Sequence, residues 1–236
     1  MNAVPAGRSS GVLAPPLVLV DLDGTILRDR AGREAMLGAV AEVAGREVED
    51  LDRHTFTGRT DAWIARELLR RAGHAADDDA VSRVHSRYLA LWDALSPSRG
   101  CTALEGAHAL GLALAAEAVR GRSLAPLLLT GNLREGARRK LRASGLDAEF
   151  PLEGAFGDRH EVRADLARAA VAMAPPSRPV VLGDAPADVE AARAVGARVV
   201  IVATGPVPAE RLAEFHPDAL LPDLRDTERV LEALFG

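Results

Sequence analysis

The sequence contains few cysteine, lysine and aromatic residues, and it has no long apolar run. Its single cysteine, Cys101, excludes an internal disulfide and a thiolate metal cluster. The net charge of −5 argues against a general nucleic-acid binder, because such proteins need a basic face. The apolar runs are too short to span a bilayer, and residues 1–16 lack the apolar core of a signal peptide. We therefore expect a cytoplasmic protein with a disordered tail over residues 1–16, and neither nucleic acid nor a membrane as partner.

Lysine is almost absent, since 28 of the 29 basic residues are arginine and Lys140 is the exception. A lysine ammonium is a compact, strongly hydrated point charge, whereas the arginine guanidinium is planar. A lysine kept at one position suggests that this position needs the compact charge. The remaining composition, 48% hydrophobic and 27% charged, is typical of globular proteins. A chain of 236 residues suits one large domain, or a core with a smaller insert.

The first predicted strand, residues 17–20, is followed directly by two carboxylates. Four consecutive apolar residues indicate a strand that is covered on both faces, as in a parallel sheet. Asp21, Asp23, Gly24 and Thr25 then stand at its carboxyl end, where open α/β sheets bind ligands. An Asp-Gly turn alone would account for Asp23 and Gly24, but it leaves Asp21 without a local partner. We therefore favour a functional site, provided that the rest of the chain supplies a phosphate or metal partner.

The order of predicted elements indicates an α/β fold with an insert. Helical periodicity replaces the strand pattern over residues 28–98, which predicts a small helical domain, and Ser96–Gly100 reads as a connector. Strands alternate with helices from residue 99 onward, and this alternation predicts a doubly wound parallel sheet. We expect residues 17–27 and 99–236 to form the core domain.

Polar residues follow the ends of three predicted core strands. They are Asp21 and Asp23, then Thr130, Gly131 and Asn132, and finally Asp184 and Asp188. Each alone has a plain explanation as a turn, a strand end or a first helical turn. Gathered at one edge of a sheet, the carboxylates would repel one another unless a cation lay among them. Ligands that are all oxygen point to Mg²⁺ rather than Zn²⁺, and Mg²⁺ commonly joins protein carboxylates to a phosphate.

Two further features of this edge suit a phosphate. Asn132 precedes a predicted helix, whose amino-terminal N–H groups favour an anion. Lys140 lies eight residues further on, along the same helix. If Lys140 faces solvent on this helix, it needs no function. If it lies beside a phosphate, it supplies the compact positive charge.

These residues resemble, in order, the four motifs of the haloacid dehalogenase (HAD) superfamily. The matching segments are Asp21-Leu22-Asp23-Gly24-Thr25, Thr130, Lys140 and Gly183-Asp184 with Asp188. The helical insert, together with residues 128–132 and 157–163, resembles the phosphoglycolate phosphatase-like branch, in which such an insert is a cap. Ala185 departs from the pattern, because the family often has Thr or Ser there. The resemblance covers residues 17 to about 225 and implies a HAD core with a helical cap.

The resemblance also implies roles for the site residues. Asp21 would be the nucleophile that forms an aspartyl-phosphate, and Asp23 the general acid and base. The Asp21 carboxylate, the Asp23 carbonyl and Asp184 would hold Mg²⁺, with Asp188 orienting a ligand or a bound water. Thr130, Lys140 and the N–H groups of Gly131 and Asn132 would bind the phosphoryl oxygens. In the cap, Arg59 is the candidate substrate contact.

The predicted function is thus Mg²⁺-dependent hydrolysis of a small phosphate monoester, such as phosphoglycolate or a sugar phosphate, by a monomer. Asp23 disfavours a dehalogenase, which has no acid/base there, and the absence of lysine from residues 28–98 disfavours a Schiff-base phosphonate hydrolase. A phosphosugar mutase of the β-phosphoglucomutase type uses the same motifs and stays an alternative. A non-catalytic HAD-like protein that binds a phosphorylated ligand is the other alternative. The sequence leaves the substrate open.

Overall fold

The computed structural model describes residues 14–49, 56–158 and 160–236. Residues 1–13 of the predicted tail lie outside the described part, and Pro16, which was assigned to the tail, is the first residue of β1. The strands are β1 (Pro16–Val20), β2 (Leu27–Asp29), β3 (Cys101–Ala103), β4 (Leu127–Thr130), β5 (Gly154–Phe156), β6 (Arg178–Gly183), β7 (Arg198–Val202) and β8 (Ala219–Leu221). The helices are α1 (Gly32–Ala44), α2 (Asp61–Arg71), α3 (Asp78–Arg99), α4 (Ala107–Val119), α5 (Arg134–Ser144), α6 (Arg163–Ala172), α7 (Pro186–Ala194), α8 (Ala209–Ala213) and α9 (Thr227–Phe235).

Six strands form one parallel sheet in the order β5-β4-β1-β6-β7-β8. This confirms the predicted α/β fold with a parallel sheet. Strand β1 lies between β4 and β6, so the carboxyl ends of these three strands meet at one edge. The polar residues that follow them in the sequence are therefore brought together, as expected at the carboxyl edge of an open sheet.

The apolar run of β1 is buried on both faces of the sheet. Leu17 and Leu19 pack in a cluster with residues of α6 and α7. Val18 and Val20 face the opposite side and pack with residues of α4, α5 and α9. Successive side chains of a strand point to opposite faces, so a central strand covered by helices on both sides needs an unbroken apolar run.

Helices α1, α2 and α3 lie between β2 and β3, which pair antiparallel at the base of this segment. Helix α3 runs through the predicted connector to Arg99, and Gly100, whose φ is +89°, caps its end. Pro97 lies inside the last turn of this helix, where its missing N–H removes one bond to the carbonyl of residue 93. None of the helices in the described ranges is long and apolar enough to cross a membrane.

Candidate active site

The pairing of β1 with β6 places the two acidic loops side by side. The N–H of Asp21 continues the ladder and donates to the carbonyl of Leu182 at 3.0 Å. Gly24 then turns the chain with φ of +89°, a conformation that glycine adopts without strain. A Cβ at Gly24 would overlap the carboxylate of Asp184. The glycine thus allows the loop after β1 to close onto the loop after β6.

The Asp21 carboxylate is buried and bonded on both oxygens. Its Oδ1 accepts from Arg163 Nη2 at 2.6 Å, and its Oδ2 accepts from Thr25 Oγ1 at 3.3 Å. Burial raises the pKa of Asp21 to about 7, and the negative charges of Asp188 and Asp23 add to the rise, while Arg163 opposes it. A buried carboxylate held by one cation is placed to act on a ligand in the adjoining cavity.

Arg163, which sequence analysis did not select, is the cation bonded to Asp21. It is the first residue of α6, its side chain is buried, and it also donates to Asp188 Oδ1 from Nε at 3.0 Å and from Nη2 at 2.6 Å. Two signals were available. Arginine has replaced lysine almost throughout this chain, and a cation in the first turn is unfavourable for the helix dipole unless it has a partner.

Asp21, Asp184 and Asp188 each bring a carboxylate oxygen within 4.8 Å of the others. Burial and the charges of Asp21 and Asp188 raise the pKa of Asp184 well above its usual range. Its Oδ2 is buried and has no hydrogen-bond partner in the described part of the chain. A Cβ at Gly24 or Gly205 would overlap this oxygen. An orphaned carboxylate oxygen in a cradle kept open by two glycines fits a hard cation such as Mg²⁺.

Asp188 differs from the other two, because N–H donors already occupy both of its oxygens. Oδ1 accepts from Arg163, and Oδ2 accepts from the N–H groups of Asp184 at 3.2 Å and Ala185 at 3.0 Å. The side chain is fully buried. Asp188 is therefore arranged to shape the loop that carries Asp184, and Ala185 uses only its backbone in this contact.

Thr130 ends β4 next to Asp21 and is fully buried. Its Oγ1 accepts from the N–H of Asn132 at 3.2 Å and from Asn132 Nδ2 at 2.7 Å. A hydroxyl oxygen that accepts two hydrogen bonds keeps its own proton to donate. Thr130 lines the cavity and can offer that proton to a ligand oxygen.

Lys140 lies beside Asp23. Its Nζ contacts both oxygens of Asp23, at 3.0 and 2.9 Å, as well as Asp29 Oδ2 at 3.0 Å and Asn132 Oδ1 at 2.7 Å. Asn132 also donates to Asp23 Oδ2, at 2.6 Å. The carboxylates raise the pKa of Lys140 well above its usual range against the effect of burial, so the ammonium stays charged.

The loop before α2 docks on both core loops. The N–H of Asp61 donates to the carbonyl of Gly131 at 2.7 Å, and a Cβ at Gly131 would overlap the carbonyl of Arg59. A Cβ at Gly58 would crowd Ala187, the second residue of α7. The start of α2 and the residues before it therefore contact the loop after β4 and the start of α7.

Asp61 occupies part of the predicted anion site at the start of α5. Its Oδ2 accepts from the N–H of Leu133 at 2.9 Å. Burial raises the pKa of Asp61 to about 6. The positive charge of Lys140 and the hydrogen bond from the Leu133 N–H both oppose this rise. The carboxylate of the insert therefore satisfies one of the N–H groups at this helix start.

A cavity of about 740 Å³ is lined by residues of the helical segment and by residues at the carboxyl edge of the sheet. The site residues that line it are Asp21, Asp23, Thr130, Gly131, Asn132, Lys140, Arg163 and Asp184. Arg59 also lines it, with its guanidinium stacked 4.7 Å from the centre of the Trp63 ring. The predicted site residues therefore line one cavity, with the exception of Asp188. Asp188 is instead bonded to Arg163 and to the N–H of Asp184.

Comparisons with known proteins agree with this architecture. Residues 160–227 match the model of a family described as HAD-hydrolase-like. A hydrolase from Pseudomonas syringae has a TM-score of 0.71 at 21% identity, with 94% of this chain and 100% of that chain covered. A predicted phosphoglycolate phosphatase from Haemophilus somnus has a TM-score of 0.63 at 16% identity, with 94% and 100% covered. CbbY from Rhodobacter sphaeroides in complex with phosphate has a TM-score of 0.68 at 21% identity, with 91% and 96% covered. No curated protein matches the sequence significantly.

Proposed function

The chain has the fold of HAD-like hydrolases, and from this premise we propose that it is a Mg²⁺-dependent phosphatase that hydrolyses a small phosphate monoester. The observation that carries the proposal is the pairing of Asp21 with Arg163 at 2.6 Å, beside the orphaned oxygen of Asp184. A nucleophile, a phosphate-binding cation and a metal ligand then face one cavity. Three similar structures, described as hydrolase, predicted phosphoglycolate phosphatase and phosphate complex, support this reaction class.

In the first step, a carboxylate oxygen of Asp21 attacks phosphorus and the bond from phosphorus to the ester oxygen breaks. Asp23 gives its proton to the leaving alcohol. Arg163 and the hydroxyl of Thr130 donate to the phosphoryl oxygens, together with the N–H of Gly131, and offset the charge that develops there. The product of this step is an aspartyl-phosphate at Asp21.

In the second step, water attacks the same phosphorus atom. Asp23, now a carboxylate, takes the proton of the attacking water, phosphate leaves and the Asp21 carboxylate is restored. Mg²⁺ held by the Asp21 carboxylate, the Asp23 carbonyl and Asp184 would supply positive charge for the phosphoryl group. Asp188 orients the Asp184 loop through its bonds to two N–H groups. A contact of Lys140 or the Asn132 N–H with phosphate stays a prediction from the sequence, and it would require these donors to leave their present acceptors, which are Asp23, Asp29 and Asn132 for Lys140 and Thr130 Oγ1 for the N–H.

The helical segment, residues 28–98, would serve as a cap that excludes water from the reaction. The docking of its loop on Gly131 and near Ala187 supports this role, and Arg59 stands at the cavity as the candidate substrate contact. The cavity of about 740 Å³ lies within the usual range of small-molecule sites; phosphoglycolate and sugar phosphates stay the candidate substrates. The cytoplasmic location and the monomeric state stay predictions from the sequence.

The test is phosphate release from a panel of small phosphate esters, with purified protein in Mg²⁺ and in EDTA. We expect Mg²⁺-dependent release from wild type and its loss in Asp21→Asn, which keeps the shape but not the nucleophile. Isomerisation of a hexose 1-phosphate without phosphate release would establish the mutase alternative instead. A protein that turns over no ester and binds no beryllium fluoride would instead be the non-catalytic binding protein.

A further inference from the structure

The acceptors around Lys140 use all the N–H donors of its ammonium group, which leaves none for a phosphate. An ammonium has three N–H donors, and Nζ meets three groups: the carboxylate of Asp23, the carboxylate of Asp29 and the amide oxygen of Asn132. Its side chain is only 6% exposed. The side chain therefore has no proton left for a phosphoryl oxygen while these bonds persist, and what it fixes is the position of Asp23.

Asp29, the last residue of β2, holds Lys140 from the other side. Its Oδ1 accepts from the N–H of Ala31 at 2.9 Å, and its carboxylate accepts from Trp92 Nε1 at 3.2 and 3.1 Å. A Cβ at Gly32 would crowd Oδ2, so the carboxylate is also packed closely. Its charge offsets that of the buried ammonium, which would be costly without a partner.

Trp92 belongs to α3, so the bonds form a continuous chain from the helical segment to the reacting edge. The chain runs Trp92 to Asp29 to Lys140 to Asp23. Trp92 and Lys140 are buried and the side chain of Asp29 is 3% exposed, whereas that of Asp23 is 37% exposed. The open end is thus the carboxylate that faces the cavity.

We propose that Asp29 and Trp92 are positioning residues, which act through Lys140 to hold Asp23 where it can transfer a proton to the leaving alcohol. The inference rests on the proposed phosphatase function. It gives the helical segment a part in the chemistry besides covering the site, because α3 contributes the outermost link of the chain. Loosening any link displaces the acid and leaves Asp21, Arg163 and Asp184 in place.

The acidity of the leaving group tests this directly. An alcohol that is a weak acid needs a proton as it departs, whereas p-nitrophenolate and acetate leave unaided. The ratio of kcat/KM on glycerol 2-phosphate to kcat/KM on p-nitrophenyl phosphate and acetyl phosphate therefore reports general acid catalysis. Because kcat/KM covers the steps up to formation of the aspartyl-phosphate, slow hydrolysis of that intermediate does not mask the effect.

We expect Asp29→Asn and Trp92→Phe to lower this ratio about tenfold, part of the 10²–10⁴-fold that a general acid contributes. Trp92→Phe removes one N–H and keeps a ring in the pocket, so it covers the case in which Asp29→Asn does not fold. Asp93→Asn is the matched control. It removes the neighbouring ion pair from α3 to Arg139 of α5, 2.9 Å long, and leaves the chain intact.

Equal losses on all three substrates, or an unchanged ratio in both variants, would overturn the inference, because a purely structural role slows every substrate alike. A drop of the ratio in Asp93→Asn would overturn it as well. Wild-type protein that turns over none of these phosphates in Mg²⁺ would overturn the proposed function, and the inference with it. An active wild type with an unaltered ratio in the variants would leave the proposed function standing.

Discussion

Arg163 Nη2 donates to Asp21 Oδ1 and to Asp188 Oδ1, in both cases at 2.6 Å. One nitrogen thus ties the proposed nucleophile after β1 to the carboxylate that shapes the loop after β6. Both carboxylates are buried, so the cation between them offsets the cost of bringing two acidic groups close together.

Replacing Arg163 by Met should therefore lower kcat/KM by about 10²–10³-fold, the loss seen when a donor to a transition-state oxyanion is removed. The unpaired carboxylates should also reduce the free energy of unfolding by about 3–5 kcal/mol. Arg163→Lys should keep part of the activity, since it retains the charge but loses the fork geometry. Steady-state kinetics and thermal unfolding check both effects.

The control for this prediction is Arg168→Met in the same helix, where an exposed arginine pairs with Asp165. It should change neither kcat/KM nor stability by more than a small amount, because exposed ion pairs contribute little. Wild-type kinetics in Arg163→Met would show that the 2.6 Å contact has no part in the reaction.

The raised pKa of Asp61 predicts that the free energy of unfolding depends on pH. Its pKa is raised from 3.8 to about 6 in the folded protein, mainly by burial. The folded state therefore binds the proton more tightly than the unfolded state, and stability from this group falls as pH rises from about 4 to about 6. At neutral pH the cost is about 3 kcal/mol.

Asp61→Asn removes that cost and keeps an oxygen for the N–H of Leu133. We expect the variant to be more stable than wild type at pH 7.5, with a difference that shrinks toward pH 4. Denaturant unfolding at several pH values measures the difference. Asp79→Asn, at an exposed i,i+4 pair with Arg83, is the control and should show no such trend. A difference that is constant with pH would contradict the raised pKa.

The close contact between Gly131 and the backbone of Arg59 predicts that the proposed cap must dock tightly on the core. A methyl group at this position would overlap the carbonyl of Arg59, which is backbone and cannot rotate away. Gly131→Ala should therefore displace the loop, lower kcat/KM and increase protease cleavage near residue 59. Gly136→Ala in α5 is the control, because its nearest atom would be the Leu89 side chain at 3.7 Å, and alanine should stabilise the helix by up to about 1 kcal/mol. Unchanged kinetics in Gly131→Ala would show that the contact is dispensable.

Much of the site follows from the sequence because parallel strands end at one edge. Asp21, Thr130 and Asp184 each follow an apolar strand, and the pairing of β1 with β4 and β6 brings them together. Arg163 was missed because it lies at the start of a helix far along the chain, and only folding of β5 and α6 against β4 carries it to Asp21.

The partners of Lys140 could not be predicted for a related reason. Asp29 comes at the end of a three-residue strand, and its contact with Lys140 crosses from the base of the insert to α5. Periodicity places both residues on elements but gives no distance between the elements. The extension of α3 to Arg99 was also missed, because Ser96, Pro97 and Gly100 are typical of turns.

The most direct test of the account is the fate of the Asp21 carboxylate during turnover. Protein quenched in acid while it hydrolyses p-nitrophenyl phosphate in Mg²⁺ would be reduced with borohydride, which converts an aspartyl-phosphate into homoserine, and mapped by mass spectrometry. We expect homoserine at position 21 and none in protein quenched without substrate. Steady release of phosphate with Asp21 unmodified, or with homoserine at another aspartate, would contradict it.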